Sequence, residues 1–141
     1  MQFFFHENDQ DPNSLASRLE SACDGLIFIS ETDAPITPFG GGPANEITSK
    51  IILEQTGRSP NEPVEERDFD EFFERLTVVR EWYGEEEKAR AKKFLELYTL
   101  LKESLQDRKV FRIGRIQLEI FAVGLDRECR LTGVSTSAVQ T

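Results

Sequence analysis

The sequence predicts an α+β fold, a three-layer α/β/α sandwich with a mixed sheet at its centre. Three observations predict it. Apolar residues recur at helical spacing behind capping residues, most clearly Phe69, Phe72, Phe73 and Leu76 after Asp68. Runs of strand character lie before, between and after such stretches, at 26–30, 64–67, 110–123 and 131–139. Finally, 141 residues with 38% apolar content and 11 phenylalanines suffice for one core built around a sheet. Each helix and each strand has an apolar face to cover, and layering covers them all.

In chain order, residues 1–13 read as a flexible N-terminal arm and 14–141 as a single domain. Asn13 or Ser14 caps a helix that carries Leu15, Leu19 and Ala22 on one face. Asp24-Gly25-Leu26-Ile27-Phe28-Ile29-Ser30-Glu31 follows. Its uncharged centre, bounded by turn formers, suits a central strand covered on both faces. The strand ends in Glu31, and the carboxyl ends of central strands are common places for functional groups. Pro35 and Pro38 exclude a helix from 32–38 and predict a stiff, exposed loop. Gly40-Gly41-Gly42 resembles a phosphate cradle, although no Gly-Lys-Ser/Thr follows. Pro43 near its start and Gly57 past its end predict a helix over 43–55 with Ile47 and Ile51 inward, a strand being the β-branched alternative.

Val64–Arg67 reads as a short strand, and Asp68 with Glu71 forms a capping box for the phenylalanine-rich helix. Arg80-Glu81-Trp82-Tyr83-Gly84 interrupts. Glu85, Glu86 and Glu87 then open a long helix, where its dipole favours them. Ala91, Phe94, Leu95, Tyr98, Leu101 and Leu105 mark its buried stripe. Val110–Ile113 and Ile116–Val123 form a hairpin through Gly114-Arg115, which suits a type II′ turn. Leu131–Val139 alternates as a last strand or extended tail.

Composition narrows the function. A net charge of −9 argues against nonspecific nucleic-acid binding. The charge is uneven: residues 1–70 hold 4 basic and 14 acidic side chains, net −10, against 13 and 12, net +1, in 71–141. An acidic surface of this kind steers a basic partner. The first residues lack a basic region and a long apolar run, so they are no signal peptide, and no stretch could span a bilayer. Cys23 and Cys129 do not make a disulfide framework, and a cytoplasmic location is the default expectation.

Enzyme templates fail in turn. The one histidine, His6, has no ligand cluster, and there is no Cys-x-x-Cys, nucleophile elbow or P-loop. Asp9, Asp11, Asn13 and Glu20 take positions one, three, five and twelve of a calcium loop, but Ser14 replaces the glycine of its sharp turn. No cofactor is expected. Trp82 and Tyr83, in a connection between helices, either pack inward over the long helix or anchor an interface.

Several separated segments taken together resemble the nuclease A inhibitor family. They are Asp24–Glu31, Asp68-Phe69-Asp70-Glu71-Phe72-Phe73, Glu81-Trp82-Tyr83 and Leu131-Thr132-Gly133-Val134-Ser135-Thr136, in the family's order, and the likeness runs from about Leu15 to Thr141. The resemblance implies an inhibitor, not an enzyme, directed at sugar-nonspecific, metal-dependent nucleases, with a fold similar to the pathogenesis-related plant proteins. It implies that Glu31 enters the nuclease active site in place of the scissile phosphate. It implies that Thr141, the last residue, reaches the nuclease's catalytic magnesium, and that Glu81 and Trp82 form a second contact. Glu81 is one methylene longer than the aspartate expected there, Gln140 stands where an acid is expected, and Gly40–Gly42 falls outside the likeness.

The chemistry is coherent. A nuclease site is cationic and holds a hard cation that takes oxygen ligands. A carboxylate imitates phosphate charge but offers no bond to hydrolyse. The expectation is therefore a monomeric, cytoplasmic inhibitor that uses its partner's magnesium and needs no metal of its own. The alternative is a binding module that uses the same fold for a different basic partner without inhibiting a nuclease.

Overall fold

Helix α1 (Leu15–Cys23) starts where Ser14 accepts a hydrogen bond from the Ser17 amide at 3.1 Å. It opens the part of the chain that the computed structural model describes, residues 13–139. Residues 1–12 of the predicted 1–13 arm, with His6, Asp9 and Asp11, and the final Gln140 and Thr141 lie outside the described residues. After α1 come β1 (Ile27–Phe28), β2 (Ala34–Pro35), β3 (Thr37–Pro43), α2 (Ser49–Gln55), β4 (Val64–Arg67) and α3 (Phe69–Thr77). The chain continues with α4 (Glu85–Ser104), β5 (Gln106–Gly114), β6 (Gln117–Leu125) and β7 (Arg130–Val139).

Five strands form the main sheet in the order β3-β7-β6-β5-β4. Where a mixed sheet was expected, the pairings are antiparallel. The sheet is covered on both faces, as the near-continuous apolar run of β6 requires. Val110, Ile120, Ala122 and Val134 lie in one cluster with Leu19 of α1, Phe69 and Phe73 of α3, and Phe94, Leu97 and Leu101 of α4. Phe111, Phe121, Val123 and Leu131 lie in the other with Ile52 and Leu53 of α2. Alternation along β5 and β6 sends neighbouring residues to opposite clusters, giving three α/β/α layers.

The segment 26–30 is not a central strand. Only Ile27 and Phe28 pair, antiparallel to Pro35 and Ala34, in a two-stranded ladder separate from the main sheet. Its apolar residues have different destinations: Leu26 is buried, Phe28 stacks on Phe72 at 5.9 Å, and Ile29 is exposed. A short apolar run looks the same in sequence whether it is covered by a sheet's two layers or by one helix pair.

The region 32–55 also differs from expectation. The predicted proline loop contains β2 and the start of β3, and Pro38 is tolerated because β3 is an edge strand. The helix predicted over 43–55 begins only at Ser49, where Thr48 caps it by accepting from the Ile51 amide at 3.2 Å. Pro43 closes β3 instead. Ile47 is buried as expected, just outside the helix. In α4 the buried stripe runs through Ala91, Phe94, Leu97, Leu100 and Leu101, while Leu95 faces out. The β5–β6 connection is wider than a two-residue turn, since Gly114 pairs with Leu118. Gly114 has φ +117° and no room for a Cβ beside the Gln117 carbonyl, so glycine is required.

Candidate partner-binding surface

Glu31 sits in the tip of the β1–β2 hairpin and is exposed. The tip closes locally: the Ser30 hydroxyl donates to the Thr32 carbonyl at 2.7 Å and accepts from the Thr32 amide at 3.4 Å. Four interactions fix the base of the hairpin. The Ile36 amide donates to the Leu26 carbonyl at 2.9 Å, and the Thr136 hydroxyl donates to the Pro35 carbonyl at 3.0 Å. Phe28 stacks on Phe72 of α3, and Lys93 of α4 donates to the Asp24 carbonyl. The carboxylate thus stands on a braced loop, and among the described residues no cation pairs with it.

Glu81 and Trp82 lie in the connection 78–84 between α3 and α4, and both are exposed. Trp82 is 75% exposed, which sets aside inward packing over α4. Its indole meets Tyr83 edge-on, with centroids 6.2 Å apart. The connection ends where the Glu87 carboxylate accepts from the Gly84 amide at 2.8 Å and starts α4. Thr141 lies outside the described residues, two positions past the end of β7.

Topology brings these loops to one end of the sandwich. Helix α4 has 20 residues, about 30 Å of helix, and β5 has nine, about 30 Å of strand. The C-terminus of α4 leads directly into β5 and is held there by Arg108, which donates to the Lys102 and Leu105 carbonyls. The N-terminus of α4, with Glu81 and Trp82 before it, therefore lies near the opposite end of β5, where β5 turns into β6. That turn is also where β7 finishes, because Gln117 pairs with Val139. The hairpin reaches the same end: Thr37 pairs with Ser135, Pro35 is bonded to Thr136, and the chain from Pro35 back to Glu31 continues alongside the last residues of β7.

Other candidates resolve structurally. In the triple-glycine segment the Gly42 amide is taken by Gln55 Oε1 at 2.7 Å, and Gln55 Nε2 donates to the Pro43 carbonyl at 3.1 Å. This amide pair braces an irregularity in the β3–β7 pairing between Gly40 and Pro43, so the glycines serve the edge strand. Of the calcium-loop residues, Ser14 caps α1 and Glu20 is exposed on it. Among the described residues no group of three or more His, Cys, Asp and Glu is placed to hold a metal ion. Burial pushes the Cys23 thiol up to about 11, opposed by Lys93, which keeps it protonated and unreactive near neutral pH. Sequence reasoning missed two exposed apolar residues, Ile29 and Ile116, by assigning both to strands. The available signal for Ile116 was its position directly after Gly114-Arg115, inside the turn.

An α/β/α sandwich that gathers carboxylates and exposed apolar side chains on the loops of one end has the form of a protein-binding domain. The chain matches the family described as nuclease A inhibitor-like protein over residues 13–141, and it belongs to that family. That description is of a non-catalytic protein whose partner class is a nuclease. No curated protein matches the chain. Among the described residues, no helix is long and apolar enough to cross a membrane.

Proposed function

We propose that this chain inhibits a sugar-nonspecific, metal-dependent endonuclease by occupying its active site. Glu31 takes the place of the scissile phosphate, Glu81 and Trp82 make a second contact, and Thr141 meets the nuclease's catalytic magnesium. The observation that carries this reading is the braced, exposed position of Glu31 at the hairpin tip, held by Thr136, Phe72 and Lys93. A carboxylate carried on a braced hairpin costs less backbone ordering when it enters a cationic site. β7, whose Thr136 bonds the base of that hairpin, ends at Val139, and Thr141 follows two positions later in the sequence.

Further features support a cytoplasmic monomer as the acting form. Cys23 and Cys129 are both unpaired thiols, as a reducing compartment favours. Both sheet edges are blunted against pairing: β3 carries Pro38 and Pro43, and β4 is four residues long with Glu65, Glu66 and Arg67.

The test is to titrate the purified, untagged chain into a magnesium-dependent nuclease that cuts DNA and RNA alike, with plasmid DNA as substrate. Stoichiometric loss of cleavage is expected. Glu31→Ala removes a charge buried against cations in the complex, a change worth roughly 2–5 kcal/mol, so inhibition should weaken about 30-fold or more. Its melting temperature should stay close to that of the unaltered chain. No inhibition at excess by the unaltered chain would favour a binding module for a different basic partner on the same fold. An equal fall in stability and inhibition for Glu31→Ala would return Glu31 to a structural role.

A further inference from the structure

Among the described residues, five large apolar side chains are substantially exposed: Ile29 at 49%, Val79 at 55%, Trp82 at 75%, Leu95 at 49% and Ile116 at 66%. Leu95 faces outward from the middle of α4. The other four fall on three connections, the β1–β2 hairpin, the α3–α4 connection and the β5–β6 turn. These are the connections that the topology brings to one end. Single exposed apolar residues are ordinary, but a group at one end rimmed by charge marks an interaction surface.

We infer that Ile116, at the β5–β6 turn, is a second apolar anchor of the surface that carries Glu31 and Trp82, and that it seats against an apolar rim around the nuclease's cationic cleft. This inference rests on the inhibitory reading above. Ile116 occupies a turn, a position usually given to Gly, Asn, Asp or Ser, and its side chain contributes little to either core. Its neighbour Gln117 pairs with Val139 of β7. The hairpin that carries Glu31 lies one strand position further out, as the Thr136–Pro35 bond shows. Adjacent strands are about 4.8 Å apart, so Ile116 and the hairpin are separated by roughly 10–15 Å across the end of the sheet. That spacing fits within one standard interface of about 800 Å² per partner.

The charges at this end identify the partner's chemistry. Glu31, Asp33, Glu81, Glu85, Glu86 and Glu87 lie on the same loops and helix start, against Arg80 and Arg115. Carboxylates alternating with Ile29, Trp82 and Ile116 complement a cationic, metal-bearing cleft with an apolar border. A uniformly charged surface such as a polyanion would be repelled. Acidic residues provide steering, and the apolar anchors hold the complex once formed.

The test compares Ile116→Ser with Leu95→Ser, a truncation of similar size on the outer face of α4, as inhibitors of a magnesium-dependent, sugar-nonspecific endonuclease. Ile116→Ser is expected to weaken inhibition about 10-fold, Leu95→Ser less than about twofold, and Ile116→Leu to restore most of the loss. Both serine variants should melt near the unaltered chain. If Glu31→Ala loses inhibition while Ile116→Ser keeps it, the role of Ile116 is overturned and the inhibitory reading stands. If Ile116→Ser loses inhibition only in proportion to a lowered melting temperature, Ile116 is structural and the inference fails. If the unaltered chain inhibits no such nuclease, both are overturned together.

Discussion

Replacing Trp82 by alanine separates a contact residue from a core residue cleanly, because the structure sets the size of both effects. A tryptophan can bury up to about 250 Å². With 75% of Trp82 exposed, about 190 Å² remains for a partner to cover. At roughly 25 cal/mol per Å² this gives a ceiling near 5 kcal/mol, from which immobilising the side chain removes about 1 kcal/mol. Full coverage would then be worth about 4 kcal/mol and half coverage about 1.4, so Trp82→Ala should weaken the complex between about 10-fold and about 1000-fold. The loss should appear as faster dissociation with little change in association, since the indole acts after encounter. The fold should hardly respond. The indole's resolved ring contact is edge-on to Tyr83, and removing a surface side chain usually changes stability by less than about 0.5 kcal/mol. Surface plasmon resonance on immobilised nuclease would read both rate constants, and thermal melting would read the fold. Trp82 is the only tryptophan, so acrylamide quenching of the free chain should report a solvent-accessible indole. A change in affinity below about threefold, or a melting temperature lowered by more than a few degrees, would refute the reasoning.

Two structural predictions concern the elements that hold this surface in place. Asp68→Ala removes the acceptor that takes the Glu71 amide at 2.9 Å at the start of α3, and should cost about 1 kcal/mol, or about 4 °C in melting temperature, while Asp68→Asn retains most of it. Gly41→Ala places a methyl group against Gln55 Oε1 and 3.3 Å from Leu131 Cβ, displacing the amide that bonds Gly42 and Pro43. Losing those two hydrogen bonds should cost about 1–3 kcal/mol in urea unfolding. Gln55→Ala should cost about the same, and the double variant little more than either, because both remove one interaction; simple addition would show that the glycine acts in another way.

The parts of the fold legible in the sequence were those decided within a few residues. Ser14, Asp68 and the Glu85–Glu87 run act on the turn beside them, so α1, α3 and α4 follow from local chemistry. Long alternation and apolar content announced β5, β6 and β7. Where long-range contacts decide, the sequence was ambiguous. Leu26–Ile29 has the composition of a central strand, yet sheet order is fixed elsewhere, and β3 takes the place beside β7. The fate of Gly40–Gly42 depends on Gln55, thirteen positions away from Gly42, which no local pattern announces. In α4, Phe94, Leu95, Leu97 and Tyr98 are spaced so that several helical stripes fit, and only packing against α1, α3 and the sheet selects Leu97 over Leu95. For the candidate surface, Glu31 and Glu81–Trp82 could be named through family resemblance. Ile116 was not, because an isoleucine beside a strand run reads as part of the strand, although its place directly after Gly114-Arg115 put it at the turn.

The placement of Glu31 outside the main sheet has a consequence for how such a surface can work. Had the carboxylate ended a central strand, its position would be coupled to every neighbouring strand, and its environment to the core. Instead the hairpin is fixed by a handful of contacts, with Phe72, Lys93 and Thr136, drawn from α3, α4 and β7. Those same elements carry or adjoin the other proposed contact segments: α3 and α4 bracket Trp82, and β7 ends two positions before Thr141 in the sequence. The relative positions of the hairpin and the connection are therefore set by helices packed on one face of a five-stranded sheet, not by the loops themselves. Loops can then vary in side chain while their spacing is preserved, and affinity follows from pre-organised geometry as much as from contact area.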